Sequence, residues 1–140
     1  MDSRNRTEVS SELDVRLVTP GEGAVPLPVE LRYVPSDPFA VRATFRTGHG
    51  LGVCWVFARD MLAAGTHTPT GEGDVRVWPS PDDQGDTVFI SLSSPDGRAL
   101  LEAPSRLLRE FIARTYVVVP PGSESIHLDL DSTIEALLDS

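Results

Sequence analysis

The sequence predicts an α+β domain: a curled or doubled antiparallel β-sheet of about seven strands, with one main amphipathic helix and short helices beside it. Three observations predict this. Apolar and polar residues alternate with period two in short segments along most of the chain, the pattern of strands with one buried face. One long stretch, residues 104–118, instead carries an apolar stripe at helical spacing. Clusters of Gly, Pro, Asp and Ser punctuate the segments as turns. Many strands against one main helix favour α+β over a parallel α/β arrangement. No repeat and no linker divides the 140 residues, so residues 1–140 are expected to form a single domain, with the polar stretch 1–6 frayed.

Residues 8–17 give the first strand, with Val9, Leu13, Val15 and Leu17 on one face and Ser10, Glu12, Asp14 and Arg16 on the other. Residues 19–28 hold two Gly and three Pro and read as a loop. A second strand covers 29–34, with Val29, Leu31 and Tyr33 inward. After the Pro35-Ser36-Asp37-Pro38 turn, a third covers 39–46, with Phe39, Val41, Ala43 and Phe45 inward and Arg42, Thr44 and Arg46 outward.

The chain is organised around residues 50–80. Leu51, Val53, Trp55 and Phe57 alternate with Gly52, Cys54 and Val56, and no residue among them is charged. Both faces being apolar or small, this strand is expected to be covered on both sides, by a helix, a second sheet or another subunit. Trp55 is expected to be buried. A short helix over 58–65 follows, with Met61 and Leu62 apolar and Gly65 as its stop. A Thr/Gly/Pro loop leads to a strand over 74–78 with Val75 and Val77 inward and Arg76 outward.

The acidic turn 81–86 precedes a strand over 87–93, with Val88, Ile90 and Leu92 inward. Ser94-Pro95-Asp96-Gly97 is a strong turn signal, and residues 98–103 read as a further strand or the approach to a helix. The main helix, 104–118, carries Leu107, Leu108, Phe111, Ile112 and Thr115 on one stripe, with Ser105 placed to cap it. Pro120 and Pro121 close that region. A last helix is expected over 131–138, with Ile134, Leu137 and Leu138 on one side.

A composition of 40% hydrophobic and 24% charged residues is that of an ordinary globular domain. No apolar run approaches the ~18 residues of a membrane span, and residues 1–15 lack the apolar core of a signal peptide. Together with a single cysteine, these features predict a cytoplasmic protein without membrane insertion. The net charge is −9, and residues 79–140 hold 4 Arg against 11 acids, a net −7. Such a chain repels phosphate backbones, so nucleic acid is not an expected partner. Arg16, Arg32, Arg42, Arg46 and Arg76 do lie on outward strand faces, but Glu12, Asp14, Glu30 and Asp74 share those faces, with Trp78 alone for stacking.

The residues that carry chemistry are sparse. His49, His67 and His127 stand apart from one another and from any ligand cluster. Cys54 sits among apolar neighbours and reads as a small buried hydrophobe. Gly71-Glu72-Gly73 precedes a strand, the wrong context for dinucleotide binding. Asp129 and Asp131 read as helix caps, and Asp82, Asp83 and Asp86 as a solvated loop. No catalytic residue, metal ligand or cofactor is predicted, so the chain is not read as an enzyme.

Longer motifs carry more information. FARDMLAAG (57–65), PTGEGDVRVWPS (69–80) and SLSSPDGRALLEAPSRLLREFIART (91–115), preceded by LRY (31–33) and DPFAVRATF (37–45), resemble the SsgA-like proteins. These are sporulation and cell-division proteins of filamentous, spore-forming actinobacteria. The likeness runs from Val9 to about Leu138, and PPGSESIHLDLDSTIEALL (120–138) is most similar to the SsgB branch. The resemblance implies a recruiter that helps position the tubulin-like protein FtsZ at sporulation septa together with an SsgA-type protein. It also implies a fold like the Whirly and guide-RNA-binding proteins, and assembly into trimers. The alternative function is a Whirly-like module that binds single-stranded nucleic acid. The sites expected from the residues are an oligomer contact at Leu51, Val53, Cys54 and Val56, and a partner-binding stripe at Ile134, Leu137 and Leu138. The protein would then concentrate at the division septum.

Overall fold

Among the described residues, seven antiparallel strands form one sheet in the order β4-β3-β2-β1-β7-β6-β5. They are β1 (Val9–Thr19), β2 (Gly23–Tyr33), β3 (Ala40–Arg46), β4 (Gly52–Ala58), β5 (Val75–Pro79), β6 (Thr87–Ser94) and β7 (Gly97–Pro104). Helix α1 (Arg59–Gly65) joins β4 to β5, α2 (Ser105–Val118) follows β7, and residues 124–128 make a further helical turn. This computed structural model describes residues 8–19, 21, 23–46, 52–71, 73–81 and 86–128. The fraying expected over 1–6 and the helix expected over 131–138 fall outside the described residues.

The sheet is two meanders, β1–β4 and β5–β7, joined where Arg16–Val18 of β1 pairs with Leu100–Glu102 of β7. It curls. Trp55 on β4 lies beside Leu92 and the β6–β7 turn from the far half of the sheet, and α1 touches both edge strands, β4 and β5. The concave face holds the core, where Leu62 of α1 and Leu108 of α2 meet Leu13, Leu31, Phe57 and Leu101 of the strands. The inward alternation expected for β1, β3 and β6 holds at Val9, Leu13, Val15, Val41, Ala43, Phe45, Val88, Ile90 and Leu92, all of them buried. Leu17 is only partly buried.

Several elements differ from the sequence reading. The Pro-rich stretch before Val29 is strand, not loop: β2 begins at Gly23 and pairs with β1 through to Tyr33. Its prolines are tolerated because β3 covers only Val29–Arg32 of β2. Pro26 and Pro28 therefore have a strand on one side only, where a missing N–H breaks no ladder. Phe39, expected inward, precedes β3 and is 46% exposed. Leu107, counted in the α2 stripe, is 43% exposed, while Leu108, Phe111, Ile112 and Thr115 are buried. Ser105 makes no capping bond; the N-cap is Pro104, and the Ser105 hydroxyl is buried without a partner.

Gly65 closes α1, though not through a left-handed turn. The next residue, Thr66, stays helical at φ −74°. The glycine is needed for space, since a Cβ there would lie 2.2 Å from Cγ1 of Val77, which is itself fully buried. Gly65→Ala should force α1 from β5 and cost about 1–3 kcal/mol, read as a lowered denaturant midpoint.

Candidate functional site

Two features have the character of a site: the free edge at β4 and a buried cage around Arg59. At the edge, β4 pairs with β3 alone among the described strands. The expectation that this strand is covered on both faces by a helix or a second sheet is corrected here. Gly52, Cys54, Val56 and Ala58 on its outer face are all exposed, so no described element of the chain covers them. On the inner face burial rises along the strand, from Val53 at 47% exposed through partly buried Trp55 to Phe57 at 2%. Trp55 is thus not fully buried, because it sits near the rim of the curl. Cys54 is exposed rather than a buried hydrophobe. An uncharged strand at a sheet edge offers unpaired backbone groups to another chain.

The expected oligomer contact therefore falls on accessible surface at Val53, Cys54 and Val56, with Leu51 outside the described residues. Ile134, Leu137 and Leu138 also lie outside them. The outward arginines are largely met by carboxylates. Arg32 pairs with Glu8, Arg42 with Asp37 at 3.4 Å and Arg46 with Glu12 at 3.3 Å. Trp78 stacks on Phe89, ring centres 5.7 Å apart. Among the described residues no group of three or more His, Cys, Asp or Glu could hold a metal ion, and no helix is long and apolar enough to cross a membrane.

The cage was missed by the sequence reading. Arg59, the first residue of α1, is fully buried. Its backbone N–H donates to the Phe39 carbonyl at 2.8 Å. Its guanidinium donates through Nη1 to the carbonyls of Val119 (2.8 Å) and Thr115 (3.3 Å), and through Nη2 to Glu124 Oε2 (2.8 Å). The rings of Tyr33 and Tyr116 lie on it, each 4.9 Å from the guanidinium carbon. A cation at the carboxyl end of α2 also suits the helix dipole. Glu124 Oε1 accepts the Gly122 N–H at 2.8 Å, in a turn that needs glycine at φ +93°. One guanidinium thus ties α1, the end of α2 and the segment after Pro121 together. The signal was present, since inward alternation through Val53, Trp55 and Phe57 extrapolates to Arg59.

The cage shifts its own titrations. The Arg59 hydrogen bond holds the Glu124 carboxyl below the ordinary carboxylate range. Burial pushes the Tyr33 phenol up to about 12, against the opposing pull of Arg59, while its hydroxyl donates to the Pro38 carbonyl at 2.9 Å. Between pH 10 and about 12 the unfolded chain loses this proton and the folded one keeps it. Stability should therefore fall as pH rises above 10. Tyr33→Phe should flatten that decline in an alkaline unfolding series.

A family model described as "Streptomyces sporulation and cell division protein, SsgA" matches residues 27–124. The chain belongs to the SsgA family. Its relatives include the sporulation-specific cell division protein SsgB of Streptomyces coelicolor, 55% identical over 94% of this chain and 96% of that protein. SsgB of Salinispora tropica is 48% identical over 94% of each. Two solved structures share the SsgA-family fold. One comes from work correlating mutations in SsgB with longitudinal cell division during sporulation of Streptomyces coelicolor. It is 57% identical, with a TM-score of 0.80 over 86% of this chain and 94% of that one. The other is an SsgA-like sporulation-specific cell division protein from Thermobifida fusca, 43% identical, TM-score 0.87, over 97% and 98%. By this homology the chain is a sporulation-specific cell-division protein, and these relatives are named as such rather than as enzymes. They give the nucleic-acid alternative no support.

Proposed function

We propose that the chain is a non-enzymatic scaffold that helps position FtsZ at sporulation septa, acting with an SsgA-type partner. The observation that carries this reading is 55% identity to an SsgB across nearly the whole of both chains. The Whirly-like character of the sheet and the trimeric state enter through the family resemblance. The β4 edge is the proposed contact between copies, because Val53, Cys54 and Val56 present an exposed, uncharged strand. The protein then works as a soluble oligomer concentrated at the septum.

A fluorescent fusion expressed in a sporulating host lacking its own SsgB tests the role. Septal foci coincident with FtsZ and restored septation are the expected result. Nucleoid staining or diffuse signal without septation would refute it. Light scattering should return three times the 15.2 kDa chain mass. Val53→Asp with Val56→Asp should reduce that to one chain while leaving the far-UV spectrum unchanged.

A further inference from the structure

We propose that the outer face of β5, β6 and β7 is a docking surface for a short peptide segment of another protein, one that sets carboxylate side chains beside apolar ones. On these strands Val77, Val88, Ile90, Leu92 and Leu101 point into the core and are buried, so the residues between them point outward. Strand register brings the outward residues together. Trp78 lies opposite Phe89, and the two rings stack with centres 5.7 Å apart. One row on, about 7 Å along the strands, Arg76 lies opposite Ser91 and Ser91 opposite Leu100. In the row after that, Ser93 lies opposite Arg98. Leu100 stands diagonally beside Phe89, within side-chain reach of it. Trp78, Phe89 and Leu100 thus make an apolar stripe, with Arg76, Ser91, Ser93 and Arg98 along its flank. None of the three is fully buried. Helices α1 and α2 lie on the opposite face, where Leu62 and Leu108 meet the core.

The chemistry of that flank selects the occupant. Arg76 and Arg98 are exposed, and their side chains make no ion pair or hydrogen bond among the described residues. Arg16, also outward, is the one other described arginine without such a partner, but Asp14, Asp86 and Glu102 crowd it. The remaining described arginines all meet a carboxylate or a backbone carbonyl. The Ser91 and Ser93 hydroxyls between Arg76 and Arg98 are likewise without a partner. Asp74 and Asp96 lie at the strand ends, neither within ion-pair distance of Arg76 or Arg98. Two guanidinium groups and two hydroxyls therefore converge as free donors, the recognition chemistry of a carboxylate. The apolar stripe beside them takes the neighbouring side chains. Three strands and three rows cover only about 10 Å by 14 Å, well under the ~800 Å² that each partner of a stable globular complex buries. That area suits about four extended residues. A nucleic acid fits it less well. Trp78 and Phe89 each give a ring face to the other, the face that base stacking uses, and phosphates meet a chain of net charge −9. The docking chemistry stands independently of the division role proposed above.

Fluorescence polarisation on the full-length chain tests this, with a fluorescein-labelled peptide Gly-Glu-Leu-Glu-Phe-Glu-Leu-Gly and a twin carrying Lys in place of each Glu. At ~0.1 M salt the screening length is about 10 Å, so a bound peptide reads the nearby arginines more than the distant charges. The Glu peptide should bind on the order of tenfold tighter than the Lys twin, against the sense of the net charge. Arg76→Glu with Arg98→Glu should weaken the Glu peptide on the order of tenfold and strengthen the twin. Arg76→Gln with Arg98→Gln replaces that pair if it lowers the melting point, and Leu100→Ser tests the apolar stripe separately. Arg42→Gln with Arg46→Gln, on the other half of the sheet, should change binding less than twofold. No binding of the Glu peptide overturns the proposal, as does tighter binding of the Lys twin or equal binding by the wild type and the Arg76/Arg98 variants. A single-stranded thymidine dodecamer that binds more tightly than the Glu peptide, and loses binding with the same variants, would overturn it too and give the face to nucleic acid.

Discussion

Glu124→Ala is expected to destabilise the fold by about 3–5 kcal/mol, more than an ordinary surface carboxylate would. Arg59 has a fully buried side chain, and that of Glu124 is 7% exposed. Removing the acid leaves the guanidinium charged, buried and without its counter-ion. The carbonyls of Thr115 and Val119 and the two tyrosine rings remain, but none of them carries a full negative charge. The wild-type chain should lose the same contribution only in acid. The carboxyl is held below its ordinary 4.5, so the contribution is present above that value and lost as pH falls through the depressed one. The double variant Arg59→Met with Glu124→Leu removes both charges and should recover most of the loss. Urea unfolding of the three chains measures this. A Glu124→Ala loss below about 1 kcal/mol, typical of an exposed pair, would show that solvent reaches the guanidinium.

Phe57→Ala should cost about 3–5 kcal/mol, and Trp55→Ala, although it deletes a larger ring, only about 1–2 kcal/mol. The two residues share the inner face of β4. Phe57 is 2% exposed and in the shared core, whereas Trp55 is only partly buried and packs at the rim by the β6–β7 turn. Thermal melting of both variants at one pH decides the order. If Trp55→Ala cost as much as Phe57→Ala, the rim would be closed in solution, as a neighbouring subunit at the β4 edge would make it.

The contrast between these residues shows what the sequence made legible. Alternation told which face of a strand each side chain takes, and it did so correctly for Val41, Ala43, Val88 and Ile90. It carried no information on distance from the sheet's edge, so the uncharged β4 read as a strand covered on both faces. Composition misled at Pro26 and Pro28, where the prolines mark a strand with one free side rather than a loop. Gly65 was recognised as a helix end but for the wrong reason, because its close approach to Val77 is a long-range contact. Glu124, the partner of Arg59, lies 65 residues along the chain; no local pattern pairs them. The long family motifs, by contrast, were readable without any fold.

The join between the two meanders bears on synthesis. β1 lies in the middle of the finished sheet, yet its second neighbour, β7, is not made until residues 97–104. A growing chain that has completed β1–β4 can pair those strands in order, each with the one before. Until β7 is made, the side of β1 opposite β2 stays open. The nascent protein therefore leaves open the edges of β4 and of β1 at Arg16–Val18, the stretch of β1 that β7 covers in the finished sheet. Such edges invite pairing between chains. Aggregation in the cell should thus be governed by how quickly β5–β7 follow off the ribosome, and slow translation between Arg59 and Gly97 should lower soluble yield without altering the stability of the protein once folded.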